Sequence, residues 1–122
     1  MRYLLNIILD PAYDAGKPAP QALMEAMGPY VEKNVASGQL ISTGGLQRTK
    51  TGARVSGHTG KLATTDGPFS EAKEVIGGYA VVEVPDRQAA IEAAKEFVQL
   101  HIDHGMPDVT VEVRAIDGGY NY

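Results

Sequence analysis

The sequence predicts an α+β fold of the ferredoxin-like, split-βαβ type, with an inserted β-hairpin. Two observations support this prediction: two strand–helix–strand units follow one another, and a short Gly-rich hairpin pattern separates them. Such a fold pairs four strands antiparallel in the order 4-1-3-2 and places both helices on one face of the sheet. The predicted strands cover 3–9, 40–43, 78–84 and 109–116, and the predicted helices cover 20–37 and 87–101.

The first unit opens with a strand from Tyr3 to Leu9 that is rich in leucine and isoleucine. The helix that follows, from about Pro20 to Ser37, ends at Gly38, which is suited to a helix C-cap. Pro29 interrupts this helix, because proline has no N–H and its ring clashes with the carbonyl four residues earlier, at a cost of about 3 kcal/mol. The sequence therefore predicts a kink there, or two short helices that meet between Met27 and Pro29.

The inserted hairpin is predicted from two short strands, 54–56 and 61–63, around a Gly-rich turn. The last five residues, 118–122, are predicted to form a loose tail.

The second unit begins with the apolar strand 78–84, after which Asp86 is suited to cap a helix that runs to about His101. Gly105 and Pro107 end this helix, and the final strand alternates valine with polar residues.

Alternation along the strands assigns two different faces to the sheet. One face is uniformly apolar and is predicted to lie under the helices: Tyr3, Leu5, Ile7, Leu9, Ala80, Val82, Val84, Val109, Val111 and Val113. The opposite face mixes apolar Leu4, Ile8 and Val81 with polar Asn6, Tyr79, Glu112 and Arg114. That mixture fits a ligand cavity between two sheets, and it also fits a polar dimer interface in which pairs such as Glu112 and Arg114 satisfy each other.

Composition limits the classes of function. With 122 residues the chain is expected to be one domain, 1–122, and without cysteine it has no thiolate nucleophile or disulfide. No apolar run approaches the roughly 20 residues that span a bilayer, so no membrane association and a cytoplasmic location are expected. Net charge is −4, which argues against nucleic-acid binding. The basic residues Arg48, Lys50, Arg54 and Lys61 form either a solvated hairpin or a docking surface for an acidic partner or an anionic substrate.

The stretch Thr65-Asp66-Gly67-Pro68-Phe69, which leads into the strand after Gly77, is the most specific motif of the chain. Together with the opening Met1-Arg2-Tyr3-Leu4-Leu5 and the segment Gly44-Gly45-Leu46, it resembles the DGPF family of YCII-related proteins. The resemblance covers nearly the whole chain. It implies a dimeric α+β barrel, in which two subunits pair sheet to sheet. No cofactor is expected, since the sequence contains neither a P-loop nor a dinucleotide-binding fingerprint.

Asp66 is the candidate catalytic residue, because a carboxylate at a pocket rim can serve as a general base. The alternative is a turn carboxylate that accepts hydrogen bonds from nearby backbone N–H groups. Pro68 makes the backbone around Gly67 a rigid, non-helical corner. Phe69 is a candidate ligand contact or a core residue beneath this corner. The other candidate ligand-binding residues are those of the mixed face: Asn6, Ile8, Tyr79, Glu112 and Arg114.

His101 and His104 are spaced to share one helix face, and such a pair could begin a metal site. Because the spacing of the sequence specifies no third or fourth ligand, no metal is expected. Histidine is also favoured near a helix C-terminus by the helix dipole. Similar proteins of the wider superfamily, such as muconolactone isomerases, use a His–Asp pair whose histidine lies on the first helix. The first predicted helix here has no histidine, so that pair is not carried over.

Three functional hypotheses follow. The protein is a cofactor-free enzyme that acts by acid–base chemistry on a small organic molecule, or a dimer that only binds such a molecule in the same pocket. Alternatively it is a protein-interaction accessory, for example to an extracytoplasmic-function sigma factor, as the resemblance implies.

Overall fold

The computed structural model describes residues 1–118 and contains a four-stranded antiparallel sheet, a two-stranded sheet and helices packed on one face of the larger sheet. Residues 119–122 of the predicted tail lie outside the described residues. The strands are β1 Arg2–Leu9, β2 Leu40–Gly45, β3 Ala53–His58, β4 Lys61–Asp66, β5 Val75–Glu83 and β6 Thr110–Ala115. The helices are α1 Pro11–Asp14, α2 Gln21–Ala36 and α3 Arg87–Asp103, and a 3-10 turn covers Thr49–Thr51.

The larger sheet has the order β2-β5-β1-β6, with every neighbouring pair antiparallel. Because β3 and β4 form their own sheet, this is the predicted order 4-1-3-2 of the four main strands, and the α+β, ferredoxin-like prediction is confirmed. The predicted hairpin is confirmed as β3 and β4, joined by a turn in which Thr59 and Gly60 have φ of 49° and 80°. Two consecutive positive φ values are typical of the tight hairpin turn that matches strand twist.

Helix α2 is continuous through Pro29, so the predicted division into two helices is wrong. Pro29, Gly28 and Glu25 are all exposed, so the Glu25 carbonyl that loses its helical partner can hydrogen-bond to water instead. The helix ends as predicted, with Gly38 at a φ of +82°. Helix α1, which the sequence analysis missed, is a single turn capped by the Asp10 side chain on the N–H of Ala12.

Helix α3 begins as predicted, with the Asp86 carboxylate accepting a hydrogen bond from the N–H of Ala89 at 2.9 Å. Its apolar stripe packs on the predicted apolar face of the sheet. The buried core joins strand and helix residues: Tyr3, Leu5, Leu40, Ala80, Val82, Val84, Ala90 and Ala94. Within the described residues, no helix combines the length and the apolar character that crossing a membrane requires.

Candidate functional site

A cavity of about 420 Å³ lies between α2 and the apolar face of the sheet, and we call it the interlayer cavity. Its volume falls in the usual range for small-molecule pockets, about 300–1,000 Å³. Helix α2 contributes Leu23, Met27 and Val31, and the sheet contributes Ile7 and Leu9 of β1. Among the described residues that line it, none carries a formal charge at neutral pH. The cavity is therefore suited to an uncharged, mainly apolar molecule.

Glycines on two strands make room for this cavity. Gly45 of β2 pairs with Gly78 of β5 on the face under the helices, and both residues line the cavity. A Cβ on Gly45 would lie 4.0 Å from its nearest neighbour, the carbonyl oxygen of Gly77, whereas a Cβ on Gly78 would lie 3.0 Å from the carbonyl oxygen of Gly44. Since neither strand places a side chain here, the space above this part of the sheet stays open. Gly45 is accordingly a position where a side chain can fill the cavity without a backbone clash.

His101 of α3 is the ionisable residue of the cavity wall, and it is only 5% exposed. Its Nδ1 lies 2.8 Å from the carbonyl oxygen of Phe97, and its ring packs on the Phe97 ring with centroids 4.6 Å apart. Burial lowers the pKa of His101, more than its hydrogen bond to the Phe97 carbonyl raises it. The imidazole is thus neutral at pH 7.

The hydrogen bond to Phe97 decides which nitrogen of His101 carries the proton. A carbonyl oxygen only accepts hydrogen bonds, so Nδ1 donates and Nε2 of the neutral ring holds a lone pair. No described residue hydrogen-bonds to Nε2, and no described side-chain nitrogen or oxygen is both buried and unpaired. Nε2 therefore keeps access to open space, and His101 is one of the residues that line the interlayer cavity.

From the sequence, His101 was either the start of a metal site or a histidine favoured by the helix dipole, and neither interpretation placed it in a cavity wall. Among residues 1–118, no cluster of three or more His, Cys, Asp or Glu side chains could hold a metal ion. Nδ1 of His104 is likewise engaged, at 2.7 Å from the carbonyl oxygen of Leu100. A sequence signal for a buried His101 did exist: Ala90, Ala94, Phe97 and His101 recur at helical spacing and share the buried face of α3.

The signature corner around Gly67 is held by three segments that are distant in sequence. Gly67 donates its N–H to the carbonyl of Gly52, and the N–H of Phe69 bonds to Thr49 Oγ1 at 3.0 Å. Thr49 in turn donates its N–H and hydroxyl to the Asp14 carboxylate, at 2.7 and 2.6 Å. These hydrogen bonds lower the pKa of Asp14. The corner thus joins β4 to the 3-10 turn and to α1.

Asp66, the candidate catalytic residue, ends β4 on the two-stranded sheet and is exposed. Its carboxylate accepts no hydrogen bond from residues 1–118, so the expected local backbone bonds do not form in that range. Phe69 is half-buried at the corner, where the Arg54 guanidinium lies 3.8 Å from its ring centroid and pairs with Glu71 at 2.6 Å. Asp66 and Phe69 therefore lie outside the interlayer cavity.

The other five candidate ligand residues lie together on the sheet face away from the helices, which we call the open face. In the register of the strands, Asn6 stands between Tyr79 and Glu112, and Ile8 stands beside Thr110. The Tyr79 ring lies against Gly44, and its hydroxyl is 3.2 Å from Ser42 Oγ. Glu112 and Arg114, predicted to satisfy each other, form an exposed ion pair at 3.3 Å. Their role in ligand binding remains a prediction.

Comparison with known proteins assigns the chain to a family. No curated protein is significantly similar in sequence to this chain. The sequence profile of the YCII-related domain matches residues 1–99, which include strands β1 to β5, the signature corner and most of α3. His101 and β6 lie beyond the matched residues. Since the match covers most of the 122 residues, the chain belongs to the YCII-related domain family.

Proposed function

We propose that this protein binds a small, uncharged organic molecule in the interlayer cavity. The observation that supports the proposal is the cavity itself: about 420 Å³ with apolar walls from α2, β1 and α3, and no charged side chain among its described lining residues. Acid–base chemistry on the bound molecule would need a group that exchanges protons at neutral pH. Burial lowers the pKa of His101 in the described wall and so disfavours its charged form, which favours binding over acid–base catalysis at this site.

Fluorescence titration with N-phenyl-1-naphthylamine tests this function, because that neutral dye brightens in apolar surroundings. The chain has no tryptophan, which keeps the background low. The wild type is expected to bind the dye, and Gly45→Val is expected to abolish binding by filling the cavity. Gly57→Val is the matched control, since a Cβ there meets nothing within 4 Å and Gly57 lies on the exposed hairpin. Equal binding by the wild type and Gly45→Val would place the dye elsewhere and contradict the proposal.

We also propose that two chains pair through the open face, as the family resemblance implies. This face carries the half-buried apolar residues Leu4, Ile8 and Val81, together with Ile76, which is 51% exposed. Pairing would cover these residues and form the predicted inter-sheet pocket. Ile8→Arg is expected to produce monomers in sedimentation velocity, because an unpaired charge buried in an interface costs several kcal/mol. A wild type that sediments as a monomer at micromolar concentration would contradict dimerisation.

A second function, interaction with an acidic protein such as a sigma factor, is supported by the hairpin β3–β4. All twelve residues of the two strands are exposed, and an isolated two-stranded sheet is marginally stable in water. In its register, one face carries Val55 and Leu62, which are 70% and 86% exposed, and the other carries His58 and Lys61. Such a surface suits a partner that contributes apolar and acidic groups.

Two of the four basic residues that were considered for docking make contacts within the chain. Arg54 pairs with Glu71, and Arg48 donates to the carbonyl of Gly16. Lys50 and Lys61 make no ion pair within residues 1–118. A Lys50→Gln, Lys61→Gln double variant is therefore expected to weaken binding of an extracytoplasmic-function sigma factor and to flatten its salt dependence. Unchanged binding would leave the hairpin without this role.

A further inference from the structure

His101, in the wall of the interlayer cavity, carries a hydrogen-bond acceptor that no described residue uses. Nδ1 of His101 is committed to the carbonyl oxygen of Phe97, and the ring is held on its flank by the Phe97 ring. Nε2 meets no donor from the described residues, and the residue that carries it lines the cavity. Because Nε2 keeps access to open space, a ligand that covers it without donating a hydrogen bond would leave it unpaired and would bind less tightly. A ligand that donates a hydrogen bond there would gain this contact.

We infer that the ligand of the interlayer cavity is a neutral, mainly apolar molecule with one acidic O–H or N–H, as in a phenol or an enol, and that it donates this hydrogen to Nε2 of His101. This inference rests on the proposed function. The chemical class follows from three features of the site: walls without charge, the neutral ring of His101, and the acceptor state of Nε2. An anionic ligand is disfavoured for two reasons. The described lining residues offer no cation to pair with it, and its charged group would face the lone pair of Nε2 with another acceptor and not with a donor.

The same surroundings favour a hydrogen bond over complete proton transfer. Moving the proton from the ligand oxygen to Nε2 would create an imidazolium and an oxyanion between apolar walls, and both charges would lose hydration. Burial already disfavours the charged form of His101 and so lowers its pKa. The bound molecule is therefore expected to keep its proton, shared with Nε2.

A pair of probes isolates this hydrogen bond. At pH 7, 2-naphthol is a neutral donor, whereas 2-methoxynaphthalene has the same rings and no O–H. The ether is larger and more apolar, so burial alone would favour the ether. Fluorescence titration is expected to show the opposite order, with 2-naphthol bound up to about tenfold more tightly, because the net hydrogen bond outweighs the burial of the extra carbon.

Two variants of His101 remove the acceptor in different ways. His101→Phe keeps a ring, and His101→Asn keeps a donor to the Phe97 carbonyl, as Asn34 does toward the carbonyl of Tyr30 at 2.8 Å. Both are expected to lose the preference for 2-naphthol while still binding the ether. His104→Asn is the matched control, because His104 makes the same kind of bond to Leu100 but does not line the cavity.

The outcomes separate this inference from the proposed function. If the wild type binds both probes equally, or prefers the ether, the hydrogen bond to Nε2 is refuted and cavity binding stands. If neither probe binds, or if Gly45→Val binds both as the wild type does, both proposals are refuted. Should the His101 variants fail to fold, two-bond ¹H–¹⁵N NMR of the wild type decides. The proton is expected on Nδ1, with an Nε2 shift on addition of 2-naphthol, and a proton on Nε2 would refute the inference.

Discussion

Gly67→Ala is the substitution for which the structure predicts the largest effect. A Cβ on Gly67 would lie 1.7 Å from the carbonyl oxygen of Thr49 and 2.6 Å from its carbonyl carbon. Because real Cβ atoms essentially never approach another heavy atom within 3.0 Å, the two backbone segments must separate by about 1 Å or more. No side-chain rotation can relieve this contact, since the atoms that clash belong to the backbone.

The magnitude follows from the hydrogen bonds that this movement breaks. Gly67 bonds to Gly52 at 2.9 Å, and Phe69 bonds to Thr49 Oγ1 at 3.0 Å. Each contributes about 0.5–1.5 kcal/mol net, and the half-buried Phe69 ring also loses part of its packing. We therefore expect the free energy of unfolding to fall by about 2–4 kcal/mol, a large value for a single substitution.

Urea denaturation followed by far-ultraviolet circular dichroism at pH 7 measures this loss. Gly57→Ala is the matched control, because a Cβ there meets no atom within 4 Å, and its unfolding free energy is expected to stay within about 0.5 kcal/mol of the wild type. Native-like spectra of both variants would show that the comparison concerns folded proteins. A loss below 1 kcal/mol for Gly67→Ala would refute the reasoning that this corner requires a residue without a Cβ.

Three further predictions concern ionisable residues. Asp66→Ala is expected to change the free energy of unfolding by less than about 0.5 kcal/mol, because the exposed carboxylate accepts no hydrogen bond from residues 1–118. A clearly lower melting temperature of this variant would contradict the prediction and indicate a structural role for Asp66. Burial lowers the pKa of His101 from 6.5, so His101 binds a proton more tightly in the unfolded chain than in the folded protein. The free energy of unfolding should therefore fall as the pH drops below 6.5 toward the folded-state pKa. His101→Asn should flatten that slope in urea titrations between pH 8 and 5, and an unchanged slope would assign it to other groups. The hydrogen bonds from Thr49 lower the pKa of Asp14 from 3.8. The stability that Asp14 contributes is therefore complete above pH 3.8 and is lost as the pH falls through the folded-state pKa. Asp14→Asn should lower the melting temperature at pH 7 and make it less dependent on acid, and identical melting curves of variant and wild type would contradict this.

The main elements and their order were predictable from the sequence because they depend on local patterns. Alternation in Tyr3–Leu9 and in the last strand marks the buried face of the sheet, and the Asp86 cap marks the start of α3. Successive strand–helix–strand units restrict the sheet to few topologies. The candidate residues of the open face were likewise grouped by alternation alone, and their register brings Asn6, Tyr79 and Glu112 side by side.

Other features depend on residues far apart in the chain. The continuity of α2 through Pro29 follows from the exposure of that side of the helix, which propensity does not reveal. The Asp14–Thr49–Phe69 contacts join segments 20 and 35 residues apart. The interlayer cavity lies where Gly45 and Gly78 pair on the face under the helices, and His101 of α3, far away in sequence, lines it as well. Sequence periodicity indicates which face of an element is buried, but only tertiary packing decides which residues meet there and what space they leave.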